Sequence, residues 1–271
     1  GGILLGINVL MIELMQDKLL ATRLSFLTVA VWWAAFTIPI LFNVREPETD
    51  NNNRLDGNVL GTSIKRLTGI VGEIRKYMVF FLFLISFWIY NDGIGTIIKM
   101  ATIYGAEIGI DESALIGALL MTQFVGIPFS FAFGWLAGHI GAKNSVFLGL
   151  IVYTLISISG YFMETSLHFW ILAFFVGTVQ GGTQALSRSI FGSMLPRDKT
   201  AEFFGFYGMS SKFAGIVGPL VFALVSQATG SSRLSIISLI LFFTVGGVLL
   251  WFVDVEKGIS QARQNQPDKT A

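Results

Sequence analysis

Apolar stretches recur along the chain at near-regular intervals, separated by short polar segments. Leu24–Phe42, Ser113–Gly138, Asn144–Met163, Thr165–Ser187 and Leu234–Val253 contain no Asp, Glu, Lys or Arg. Each approaches or exceeds the roughly 20 residues that a helix needs to cross a hydrocarbon core about 30 Å thick. Tyr77–Ile98 and Phe203–Ser232 are equally apolar but hold one charge each, Asp92 and Lys212. The pattern therefore predicts seven spans. Gly1–Met15 is a shorter, eighth apolar run, containing Asn8 and Glu13. It starts without an initiator Met and is expected to be the tail of a helix, which makes the chain a fragment with about four more spans upstream. None of these runs has the strict alternation of barrel strands, so the expected class is all-α: a polytopic helical membrane protein of about eight spans.

Composition agrees. Residues of the AVILMFWYC class make up 53% and charged residues 13%, with a mean hydropathy of +0.69; a soluble domain carries about 25% charged residues. The absence of cysteine excludes disulfides, thiolate metal sites and a Cys nucleophile. Two histidines, His139 and His168, are too few for a histidine-rich metal centre, and a net charge of +1 gives nucleic acid no footprint. No metal and no cofactor are expected; the bilayer is the expected surroundings.

Lys and Arg sort by side when successive loops alternate across the membrane. One side receives thirteen: Arg45, Arg54, Lys65, Arg66, Arg75, Lys76, Lys143, Arg188, Arg197, Lys199, Lys257, Arg263 and Lys269. The other receives four, Lys18, Arg23, Lys99 and Arg233. The richer side, and the C-terminus with it, is expected to be cytoplasmic, in a bacterial plasma membrane. The domains expected are 1–42, the last two spans of an N-terminal bundle; 43–76, a central cytoplasmic loop; 77–254, a six-helix bundle; and 255–271, a cytoplasmic tail. Within the loop, Leu60, Ile64, Leu67, Val71 and Ile74 recur at helical spacing with Lys65, Arg66, Arg75 and Lys76 elsewhere on the wheel. That fits an amphipathic helix at the anionic leaflet or against the ends of the bundle.

Ionisable groups at membrane depth are costly, so they face a cavity or a partner. Asp92, Thr96 and Lys99 fall at i, i+4 and i+7 on one helix face, beside Asn91, Gly93 and Gly95. This face reads either as a substrate or proton site or as a carboxylate that ties helices together. A rise of about 1.5 Å per residue puts Lys212 about 14 Å and Asp92 about 23 Å from the cytoplasmic end, which disfavours a direct pair. Gln180, Gln184 and Arg188, spaced by four, form a polar ridge flanked by Gly177, Gly181 and Gly182. The ridge lines a pathway or marks a close helix crossing. Gln123 stands near a midplane, and Pro128 is expected to kink its helix. Glu202 lies on the cytoplasmic approach to the Lys212 helix. There is no Ser/His/Asp set, HExxH, Walker loop or dinucleotide fingerprint, so no enzyme is expected.

These residues resemble a known family. Two spans, a central loop and six further spans look like the C-terminal two-thirds of a major facilitator superfamily transporter, with the six-helix C-terminal half complete. Gly134-Trp-Leu-Ala-Gly-His-Ile-Gly-Ala-Lys143 resembles the superfamily's GxLaDrxGrk loop. Gly134, Leu136, Ala137, Gly141 and Lys143 match; Gly138 replaces the Asp of the pattern and His139 a basic residue, so the charge lock that the Asp forms is without its acid. Tyr90-Asn-Asp-Gly93, the run from Gln180 to Ser189, Ala201-Glu-Phe-Phe-Gly-Phe-Tyr207, Lys212 and Gly218-Pro219 resemble the branch that holds the fungal autophagy-linked vacuolar amino-acid effluxers and their bacterial relatives. The resemblance implies a proton-linked or facilitated carrier of a small solute, working by alternating access between two six-helix halves. It implies amino-acid efflux for the fungal members.

The expected substrate and proton pathway is Asn91, Asp92, Thr96, Gln123, Gln180, Gln184 and Lys212, with Arg188, Glu202, Gly134 and Lys143 at the cytoplasmic gate. A non-transporting sensor or assembly protein with the same fold is the alternative.

Overall fold

The computed structural model describes residues 2–44, 78–195 and 200–264, except the side chains of residues 201, 202, 210, 213, 214, 263 and 264. The amphipathic segment anticipated within 43–76 lies outside the described residues. Every regular element among those described is helical. The chain divides into two compact units, Gly1–Ile64 and Lys65–Ala271.

The first unit holds α1 (Gly2–Leu14) and α2 (Lys18–Asn43). Asp17 caps α2 by accepting from the Leu20 amide, and Lys18 Nζ donates to the carbonyls of Ile12 and Glu13 at the end of α1. The buried Asn8 is the polar seam of the pair, its Oδ1 accepting from Thr28 Oγ1 at 2.7 Å.

The second unit runs α3 (Met78–Glu107), α4 (Glu112–Ile140), α5 (Ala142–Tyr161), α6 (Ser166–Ser193), α7 (Thr200–Ala214), α8 (Val217–Thr229), α9 (Ser232–Ser238), α10 (Ile240–Trp251) and α11 (Val255–Gln264). Among the described residues, six stretches are helical, long and apolar enough to cross a membrane: α2, α3, α4, α5, α6 and the α9–α10 stretch Ser232–Trp251. With its apolar helices and large apolar side chains exposed along them, this is an integral, multi-pass membrane protein.

Three boundaries differ from those read off the sequence. α3 does not stop before Lys99 but continues to Glu107, because the ammonium finds a backbone partner (below). The motif from Gly134 is helical up to Ile140 and turns only at Gly141, whose φ of +86° is open to glycine and strained for other residues. The segment after Trp251 is not a plain tail: Asp254 Oδ1 accepts from the Lys257 amide to start α11, which seats Gly258 on Met194 and Val79. Helix α4 runs through Pro128 without interruption.

Close approach at glycines and small residues organises the bundle. α4 and α6 cross where Gly177 meets the Thr122 carbonyl and Val125, Gly181 meets Ser130 and Gly182 meets Phe133. Thr122 Oγ1 donates across this crossing to the Ala173 carbonyl at 3.1 Å. α3 and α10 meet at Gly93, against Phe242 and Phe243, and at Gly246, against the Tyr90 backbone; Ser86 Oγ donates to the Gly246 carbonyl at 2.8 Å. Near the start of α3 an aromatic cluster replaces glycine contacts: Phe80 and Tyr207 both pack on Phe191, with centroids 5.0 and 4.4 Å away.

The two kinds of glycine separate in a mutational test. A Cβ at position 246 would lie 2.8–3.2 Å from Tyr90 atoms, so Gly246→Leu is expected to cost about 1–3 kcal/mol or more by overpacking. Gly95, with nothing within 4 Å of the corresponding point, should accept alanine without loss. Size-exclusion profiles of the detergent-solubilised variants, with and without heating, distinguish the two.

Candidate functional site

The run Phe203–Ser232, read from the sequence as one span, is broken. Helix α7 ends at Ala214, Gly215 and Ile216 are not helical, and α8 begins at Val217. Pro219 explains the break. It lacks the amide that would bond the carbonyl four residues back, at Gly215, and its ring crowds that carbonyl. The orphaned Gly215 carbonyl accepts from Lys99 Nζ at 3.0 Å. On the other side of the break, the Gly218 amide is one of the unpaired donors of the first turn of α8, and it donates to Asp92 Oδ2 at 2.7 Å. α3 thus closes both ends of the interruption, with a carboxylate at a helix N-terminus and an ammonium at a helix C-terminus.

Asp92 is 3% exposed and Thr96 0%. Thr96 Oγ1 donates to the Asp92 carbonyl at 2.7 Å. Asp92 Oδ1 has no hydrogen-bond partner among the described residues and no solvent contact. The approach is close: a Cβ at Gly218 would fall on Thr96 Oγ1 and within 2.9 Å of Asp92 Oδ1 and 3.0 Å of the Asp92 carbonyl. Only glycine lets α8 come this near α3. Tyr90, two residues before Asp92, hydrogen-bonds Ser187 of α6 at 2.7 Å and fixes the rotation of α3.

The other sequence-predicted residues fall into separate groups. Asn91 is half-buried beside Asp92. Gln180 is half-buried between Gly177 and Gly181, and Gln184 and Arg188 are exposed on α6 beyond its glycine crossing with α4. Gln123 is exposed on α4. Lys212 is exposed at the end of α7 and makes no ion pair with Asp92. Lys143 is half-buried and bonded to the Trp251 and Val253 carbonyls at 2.9 and 2.7 Å, so it closes the C-terminal end of α10. Gly134 is exposed on α4 with open space around it. The Glu202 side chain lies outside the described residues. No cluster of His, Asp and Glu suited to a metal ion occurs among the described residues.

Three participants were missed as site residues. Lys99 shared a helix face with Asp92 by spacing alone but was counted with the outer loop. Gly215 and Gly218 are the other two; the signal for their role is Pro219, whose missing amide points back four residues to Gly215.

A broken apolar helix sealed by one buried carboxylate and one lysine, in a bundle of membrane-length helices, defines a polytopic membrane protein with an ionisable centre at a helix interruption. Residues 1–263 match the family described as "Vacuole effluxer Atg22 like", and the chain belongs to that family. It is 43% identical over 249 residues to a Bacillus subtilis protein described as an uncharacterized MFS-type transporter, YxiO, covering 91% of this chain and 58% of that one. It is 23% identical over 261 residues to Autophagy-related protein 22 of Gibberella zeae, covering 87% and 39%. Against the Kluyveromyces lactis protein of the same name the figures are 24% over 261 residues, 89% and 53%. The chain thus spans about 39–58% of the length of these relatives.

The geometry sets a test at Gly218. Gly218→Ala is expected to lower stability by about 1–3 kcal/mol, since α8 must retreat from Thr96 and Asp92. Gly208→Ala, on α7 with nothing within 4 Å, should be silent. Thermal unfolding in detergent, followed by intrinsic fluorescence, reads both; equal midpoints would show that α8 does not need this approach.

Proposed function

We propose that the chain belongs to a secondary active transporter that moves a small polar solute by alternating access, with proton movement linked to Asp92. The observation that carries the reading is the buried carboxylate with one unpartnered oxygen at the break of a membrane helix. Such a group is expensive in a purely structural position and suits an exchange site. Exposed Gln123, Gln184, Arg188 and Lys212, without a hydrogen-bond or ion-pair partner among the described residues, add support: amide and cationic groups on helices of this kind face a watery route rather than acyl chains. The family and its MFS-type relative supply the class of activity. In this reading Asn91, Asp92, Thr96, Gln123, Gln180, Gln184 and Lys212 line the route. Arg188, Glu202, Gly134 and Lys143 belong to its cytoplasmic mouth, Lys143 by holding α10 to the start of α5.

Residues 77–254 form the C-terminal six-span bundle of the carrier and 1–42 the end of its N-terminal bundle, with the C-terminus cytoplasmic in a plasma membrane. Amino acids are the first solutes to try, because the family's description is that of a vacuole effluxer and the branch that the sequence resembles holds amino-acid effluxers.

The test is flux in proteoliposomes containing the complete protein, with a panel of radiolabelled amino acids and an imposed pH gradient. Wild type should accumulate at least one of them in a gradient-dependent way. Asp92→Asn should lose the dependence on the gradient while Gln16→Ala, outside the proposed route, keeps it. Binding without flux would replace the carrier by a sensor, and an unchanged pH profile in Asp92→Asn would remove Asp92 from coupling.

A further inference from the structure

We propose that the α7–α8 break is a charge clamp opened by a proton: protonation of Asp92 Oδ1 weakens its hold on the first turn of α8, while Lys99 is the positioning residue that keeps the other end of the break in place. The inference rests on the proton linkage proposed above and says where the proton does its work.

Three observations converge. Asp92 Oδ2 is occupied by the Gly218 amide, so Oδ1 is the oxygen left to take a proton. No solvent reaches Oδ1, and its surroundings are filled to the point that Gly218 could not carry a methyl group. A hydrated cation or a substrate ammonium does not fit there in this conformer; a proton does. Because Oδ1 is sealed here, it gains or loses a proton only in a conformer that uncovers it, and the element whose movement uncovers it is α8. Protonation and the position of α8 are therefore two readings of one equilibrium.

The sign follows from charge. A carboxylate accepting an amide at a helix N-terminus makes a charge-assisted bond about twice as strong as a neutral one, and it adds a favourable term with the helix dipole. A proton from water converts the carboxylate to a neutral acid, the Gly218 amide keeps only a neutral acceptor, and the dipole term is lost.

The charged groups around the clamp are few. α8 and α10 contribute no ionisable side chain. α7 brings Tyr207 and Lys212, α6 brings Arg188, and α9 brings Arg233, which pairs with Glu164. On α3 itself Tyr90 is bonded to Ser187, and Lys99 is the cation that acts on Asp92.

The experiment is hydrogen–deuterium exchange on the complete protein in lipid nanodiscs, reading peptides across residues 213–224. Protection is corrected for intrinsic exchange and measured from pH 5 to 9. Wild type should lose about fivefold protection as pH falls, the scale of one charge-assisted bond becoming neutral. Asp92→Asn, a permanently neutral acceptor, should show the low-pH level at every pH. Lys99→Met should move the wild-type transition to higher pH, since a carboxylate without its cation holds a proton longer, and Lys99→Arg should restore it. A pH-independent wild type, or Asp92→Asn matching wild type throughout, overturns the clamp even if gradient-driven flux persists. A pH-dependent clamp in a protein without flux would instead overturn the transport reading. Lys99→Met with an unshifted transition overturns the role given to Lys99; thermal unfolding of each variant confirms that it is folded.

Discussion

A backbone amide or carbonyl inside a bilayer has no water to turn to, and each one left unpaired costs several kcal/mol. That constraint shapes the second unit more than any single apolar contact. Pro219 makes one carbonyl unpaired by its chemistry, and the start of α8 leaves a further amide open. Either group alone would outweigh the cost of placing one charged side chain at depth, roughly 2.5–3.5 kcal/mol on insertion scales. The charges on α3 are thus tolerated because they answer a backbone problem that apolar side chains could not.

Helix packing delivers those charges to the break. Gly93 and Gly246 draw α3 and α10 together, and the Tyr90–Ser187 bond ties α3 to α6. Between them they fix which face of α3 turns toward α8. α6 divides its labour along its length: its glycines receive α4, while Gln184 and Arg188, further along the helix, remain exposed. Gln184 and Arg188 follow Gly177 and Gly181 by about two turns on the same stripe, so the two readings of the Gly177–Arg188 run hold together as successive stretches of one helix face. A close crossing needs small residues and a route needs polar ones, and their succession along the stripe accommodates both.

Much of this was legible from the chain. Runs without charge located the membrane helices, because exclusion of charge is a property of single segments and needs no knowledge of neighbours. The i, i+4, i+7 spacing put Asp92, Thr96 and Lys99 on one face for the same local reason. Depth counting set Lys212 apart from Asp92, and no ion pair joins them; extended by six residues at about 1.5 Å each, the same count would have placed Gly218 level with Asp92. What stayed hidden was the partner. Charge was matched with charge, whereas the acceptors and donors that Lys99 and Asp92 meet are main-chain groups, which every residue carries and no pattern marks. Lys143, placed at the gate by its motif, likewise meets main-chain groups, the carbonyls of Trp251 and Val253 at the end of α10 and just beyond it.

The signs of the two charges separate a built arrangement from a coincidental one. A helix N-terminus carries partial positive charge and a C-terminus partial negative charge. The acid of α3 meets the start of α8 and the base meets the carbonyl that follows α7, so both interactions are favourable. Exchanging the two residues would leave an ammonium facing an amide donor and a carboxylate facing a carbonyl, both repulsive and both unbonded. The longer side chain also has to be the one further along α3. Side chains lean toward the start of their helix, so a lysine seven residues beyond Asp92 can reach back to Gly215, where a short carboxylate at position 99 could not. Residue type, order and spacing on α3 are each accounted for by the position of one proline on the helix it faces.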